Sequence, residues 1–114
     1  MSVAPLRVMA VMPHQDDFEF TMGGTLAILR KACGEAAVLH VLCTSRGASG
    51  HYQLSPDETF AVRQREAAES AAMVGATYEC LRQLDGAHVE MQVLLTREVL
   101  GGLWNAVRAF EPDV

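Results

Sequence analysis

Four residues capable of acid–base or metal-binding chemistry fall within six positions near the start of the chain: His14, Asp16, Asp17 and Glu19, in the stretch AVMPHQDDFEF. Carboxylates this close repel, and one is driven toward its neutral form unless something compensates. Three compensations are open to the stretch: the acids splay into water, cap the following helix, or hold a cation. His14 and Asp17 stand in H-x-x-D spacing, which a turn can fold onto one point, and both residue types are regular zinc ligands. Asp16, unligated beside such a metal, would suit a general base for an activated water. The same residues also read as an acidic turn capping the helix that carries Gly23 and Gly24, and short motifs of this kind do not by themselves decide.

The elements around this stretch determine where it sits. LRVMAVM (Leu6 to Met12) is short and almost wholly apolar, as a strand buried on both faces would be. GGTLAILRKACG predicts a helix with Leu26, Leu29 and Cys33 on one face and Gly34 as its C-terminal cap. AAVLHVLCT (Ala36 to Thr44) is a second buried strand, followed by the Gly-rich loop SRGASGHYQL. Ser55 as N-cap, Pro56 at the first position and Glu58 closing a capping box predict a long helix to about Val74, ended by Gly75. Phe60, Ala67, Ala71 and Val74 share its apolar face. TYECLRQL is a weaker third strand, and Leu95, Val99, Leu103, Trp104, Val107 and Phe110 mark a helix stopped before Pro112.

This alternation predicts an α/β fold, a Rossmann-like parallel sheet with flanking helices. Asp113-Val114 reads as the first step of a fourth strand. Residues 1–114 are therefore expected to be one partial domain, truncated at that strand. In open parallel sheets ligands bind beyond the carboxyl ends of the strands, which is where His14 to Glu19 falls.

Composition narrows the class. Half of the 114 residues are apolar, and the formal net charge is -5. An acidic chain lacks the basic face a broad nucleic-acid surface needs. Arg7, His14, Arg30 and Lys31 interrupt the apolar runs too early for a membrane span, and the N-terminus lacks the pattern of a signal peptide. Cys33, Cys43 and Cys80 have no paired spacing, which fits a reducing cytoplasm.

PHQDDFEFTMGGTLA resembles the signature of the LmbE-like, or PIG-L, N-acetylglucosamine deacetylases, His-Pro-Asp-Asp-x-Glu followed by Gly-Gly-Thr. The matching positions are His14, Asp16, Asp17, Glu19, Gly23, Gly24 and Thr25. Gln15 stands where the family usually has Pro, which bears on loop rigidity more than on ligation. The loop after strand two is similar to the family's glycine loop through Thr44, Gly47 and Gly50. VRQREAAESAAMVGA resembles its Arg-x-x-Glu helix through Arg63, Glu66 and Gly75, with Met73-Val74 replacing the usual run into Leu. Asp85-Gly86 matches an Asp-Gly after strand three, and EPDV resembles the opening of the fourth strand.

The resemblance implies a zinc-dependent amide hydrolase acting on an N-acetylated amino sugar or its glycoside. It implies His14 and Asp17 as Zn2+ ligands and Asp16 as general base. A third ligand is expected from a His motif after Val114. The expected partner is a small amino-sugar substrate, with no nucleic acid and no membrane segment; the sequence leaves homo-oligomerisation open. Arg63 is a candidate for a sugar hydroxyl or phosphate, against an i,i+3 pair with Glu66. Asp85 is a candidate substrate contact, against a plain Asp-Gly turn. His40 reads as a packed core residue and His88 as part of a surface turn. His51, in a loop expected to border the site, is weighed as a further ligand against a solvated loop histidine. Two rivals stand beside the enzyme: a non-catalytic fragment or degenerate relative kept for binding or assembly, and a different metal hydrolase such as a phosphoesterase.

Overall fold

The computed structural model describes residues 4–48, 51–81 and 96–114. Strand β1 (Leu6–Met12), helices α1 (Asp17–Thr21) and α2 (Gly23–Cys33), strand β2 (Ala37–Cys43), helix α3 (Pro56–Met73), strand β3 (Ala76–Cys80) and helix α4 (Arg97–Phe110) follow one another. The strands form a parallel sheet in the order β1-β2-β3, running from Leu6↔Ala37 to Met12↔Cys43 and from Leu39↔Ala76 to Cys43↔Cys80. The α/β class expected from the alternation is the one observed.

The apolar run of β2 is explained by its place between two strands and under two layers of helix. Leu39, Val41, Leu42 and Cys43 are all buried. Val8, Ala10, Leu39 and Val41 join Phe18 of α1, Leu26 of α2 and Ala71 of α3 in one core. Fully burying each large member contributes about 1.5–3 kcal/mol. On the opposite face, the alternate residues Arg7 and His40 meet Phe110 of α4. The His40 ring stacks on Phe110 at 5.1 Å, and the Arg7 guanidinium lies 4.5 Å from the same ring. His40 is the packed core residue its alternation implied, with Nδ1 2.6 Å from Thr77 Oγ1 and Nε2 3.2 Å from Glu79 Oε2.

Local signals set most boundaries. Ser55 Oγ accepts from the Glu58 N–H and Glu58 Oε2 accepts from the Ser55 N–H, so the capping box that starts α3 is present in full. Ala67 and Ala71 bring α3 close to the sheet, while Phe60 and Val74 are half-buried at its ends. One expectation needs correction. Cys33 is exposed, because Arg30 clamps that end of α2 by donating to the carbonyls of Gly34, Val74 and Gly75. The last helix starts after Thr96, whose hydroxyl accepts from the Val99 N–H; Leu95, counted with it above, lies outside the described residues. Among its apolar residues Leu100, Trp104 and Val107 are exposed. Beyond Phe110, the Val114 N–H donates to Arg7 O and the Met9 N–H to Val114 O, a parallel pairing along the edge of β1 away from β2.

The Glu58 carboxyl is held below its ordinary value by the hydrogen bond from the Ser55 backbone. A depressed folded-state pKa contributes stability above the unfolded carboxyl range, and that contribution is lost as pH falls through the folded value. Glu58→Gln is therefore expected to flatten the acid side of the thermal-stability profile. Ser55→Ala, read by urea unfolding at neutral pH, is expected to cost about 1 kcal/mol.

Candidate active site

The carboxyl ends of β1 and β2 are fastened together before their loops diverge. The Thr44 N–H donates to Met12 O, and both the N–H and the hydroxyl of Ser45 donate to Pro13 O. Directly above this joint the chain turns through His14–Asp17, closed by the Asp17 N–H on His14 O. Asp17 Oδ2 accepts from the His14 N–H at 2.9 Å and lies 3.2 Å from His14 Nδ1. The two side chains that the H-x-x-D spacing singled out thus converge. His14 Nε2 is buried without a hydrogen-bond partner.

Asp16 occupies the N-cap position of α1 and makes no side-chain cap bond. Its carboxylate turns instead to α3, where Arg63 Nη2 donates to Oδ1 at 3.0 Å. Arg63 Nη1 donates at 2.7 Å to the carbonyl of Gly47. In place of the i,i+3 pairing weighed for Arg63 and Glu66, the guanidinium makes a long-range pair with Asp16. Arg63 and Asp16 form one wall of a cleft of about 480 Å³, with Glu66, Thr59, Val62 and the 51–54 loop around it.

His51 reaches this cleft but is exposed, and its Nδ1 accepts the backbone N–H groups of Gln53 and Leu54. It holds its own turn. Asp85 and His88, singled out above, lie outside the described residues, as does Gly50.

The contacts of several neighbours escaped the sequence reading. Gln15 is only 3 % exposed, with Nε2 donating to Arg46 O and Oε1 unpartnered. Thr59 is buried at the cleft with its hydroxyl unpartnered. Beneath the joint, the thiols of Cys43 and Cys80 both donate to Ser45 O, at 3.2 and 3.3 Å. The Cys80 thiol beside it holds the Cys43 thiol below its ordinary value, and the same neighbour relation, with burial, pushes Cys80 up. Only the register of β2 and β3, which pairs them, could have signalled that contact.

An imidazole and a carboxylate meeting beside an orphaned buried nitrogen are donors suited to a divalent cation, since a buried unpaired nitrogen costs about 1–3 kcal/mol. His14 and Asp17 supply two donors of that kind. Among the described residues no group of three His, Cys, Asp or Glu side chains surrounds one point.

A family model described as "PIG-L: GlcNAc-PI de-N-acetylase" matches residues 9–114. Among solved structures, N,N'-diacetylchitobiose deacetylase from Pyrococcus horikoshii is 28% identical, with a TM-score of 0.75 over 94% of this chain. GalB, the 4-carboxy-2-hydroxymuconate hydratase from Pseudomonas putida KT2440, shares the fold at 23% identity, a TM-score of 0.75 and 94% coverage. The chain spans 38% of the first of these proteins and 44% of the second. No curated protein matches it significantly.

Gly47 tests the packing of this site. It has φ +58°, and a Cβ there would stand 2.3 Å from Gln15 Oε1 and 3.0 Å from Arg63 Nη1. A left-handed alanine costs about 1–2 kcal/mol, and crowding a packed site about 1–3 kcal/mol. Gly47→Ala is expected to lower urea-unfolding stability by about 2–5 kcal/mol, the sum of those two costs. A loss below about 1 kcal/mol would contradict the close approach of Gln15.

Proposed function

We propose, from the premise that this chain belongs to the PIG-L, GlcNAc-PI de-N-acetylase family, that it provides the catalytic loop of a zinc-dependent hydrolase. The substrate is an N-acetylglucosamine-type sugar or glycoconjugate, and the products are acetate and the free amine. The observation that carries this reading is the convergence of His14 and Asp17 next to an Asp16 carboxylate held by Arg63. The likeness to a chitobiose deacetylase supports it.

In this reading His14 and Asp17 hold a divalent zinc ion, which supplies Lewis-acid polarisation of the acetamide carbonyl and acidifies water. Arg63 engages Oδ1 of Asp16, which fixes the carboxylate and leaves Oδ2 to act as base. Asp16 takes the proton of the water that attacks the carbonyl carbon, forming the new C–O bond. As the C–N bond breaks, Asp16 returns the proton to the departing nitrogen, so the amine leaves neutralised rather than as an anion. A guanidinium has five N–H donors, and those of Arg63 beyond its bonds to Asp16 and Gly47 suit a sugar hydroxyl. Asp85 is retained as a second substrate contact. The free thiols of Cys33, Cys43 and Cys80 fit a reducing cytoplasm, and among the described residues no helix is long and apolar enough to cross a membrane.

Roles on the loop separate by substitution. In a preparation carrying the activity, Asp16→Asn is expected to lower kcat at least about 100-fold, the usual worth of a general base, with zinc content nearly unchanged. His14→Ala should lower both amine release and zinc content, read by atomic absorption. Equal zinc loss in the two variants would reverse the assignment of base and ligand.

A further inference from the structure

We infer that Gln15 is a positioning residue for Asp16, acting through the Arg46–Gly47 peptide and Arg63. The inference rests on the proposed role of Asp16 as base. Gln15 stands between the half-buried His14 and the exposed Asp16, which lines the cleft, yet its own side chain is buried. Burying an amide is unfavourable unless it is hydrogen-bonded. Its Nε2 donates to the carbonyl of Arg46, which ties the loop after β1 to the loop after β2.

The geometry of that tie determines where the next carbonyl points. With Arg46 O held by Gln15, the following residue, Gly47, takes the left-handed φ of +58°. Its carbonyl then accepts from Arg63 Nη1 at 2.7 Å. Arg63 has a rigid planar fork, so fixing one nitrogen on Gly47 O constrains the other, Nη2, which donates to Asp16 Oδ1 at 3.0 Å. The path closes on the residue next to Gln15. The absence of a side chain at Gly47 is required by the same arrangement, because Gln15 Oε1 fills the position a Cβ would take.

A proline at position 15 would restrict the backbone of this loop directly. A glutamine leaves the backbone unrestricted, and here the constraint comes from the side chain crossing to the neighbouring loop. Gln15 and Arg63 thus act as the two ends of one brace, and loss of either frees Asp16 to rotate.

The test uses Gln15→Met, which keeps length and burial and removes the donor. Gln15→Leu, lacking the same donor, is measured in parallel so that a variant that fails to fold does not end the experiment. The first readout needs no catalysis: the rotation and proton exchange of the Arg63 guanidinium, followed by nitrogen-15 NMR. Both variants are expected to speed Arg63 Nη exchange by about tenfold, the worth of one net hydrogen bond. The second readout is kinetic. Gln15→Met should lower kcat about tenfold with KM changed less than about twofold, and should do nothing further in an Arg63→Met background, as for residues acting as a unit. Unchanged Arg63 exchange, or an equal loss of kcat with and without Arg63, overturns the inference. An unsubstituted protein that releases no amine from N-acetylated sugars refutes the deacetylase reading, while the NMR readout still decides the role of Gln15.

Discussion

Two loops that leave a sheet from neighbouring strands act together only if their starting points are fixed. Here that is done by the bonds joining Met12 and Pro13 to Thr44 and Ser45. They extend the β1–β2 ladder past its regular end, so the His14 and Gly47 loops depart from one rigid base. Everything above depends on this. Gln15 can reach Arg46 O, and a single arginine of α3 can touch both loops. The thiols of Cys43 and Cys80, turned onto Ser45 O, stiffen the base from below.

The Asp16–Arg63 pair illustrates what such geometry is for. The Asp16 side chain is 62% exposed, and an ion pair that open to water adds about 0–1 kcal/mol to stability. Its significance is directional: Arg63 holds one carboxylate oxygen of Asp16 in place. The half-buried His14–Asp17 contact is similar. One oxygen of Asp17 serves both the backbone and the ring of His14, which sets the ring orientation.

How much of this could be read from the sequence follows from the range of each interaction. The capping box, the β1 and β2 runs and the H-x-x-D convergence are contacts over a few residues, and their patterns were readable. Helix α1 was missed because five residues are too few to show a helical period. The partner of Arg63 was missed because Asp16 lies 47 positions away, while the local rule pointed to Glu66. Gln15 was noticed only as a departure from a usual proline. No spacing rule states that an amide between a histidine and an exposed aspartate will turn inward, since the carbonyl it meets belongs to a different strand's loop. The exposure of Cys33 was hidden for the same reason: Arg30 finds its acceptors at Val74 and Gly75, on the far end of another helix.

The pairing of Val114 along β1 carries a consequence for access. With β2 on one side of β1 and residues 113–114 on the other, the winding of the sheet reverses at β1. Helices α1 to α3 border the core on one face, while Phe110 of α4 lies on the opposite face. At such a reversal the crossovers part company, and a crevice opens above the strand without any side chain being trimmed to make room. The cleft beside Asp16 lies at the carboxyl end of this strand and is in this sense a product of chain routing. Its width is set by which faces the helices take, so residues lining it can vary in size, and with them the choice of guest, while the sheet beneath stays as it is.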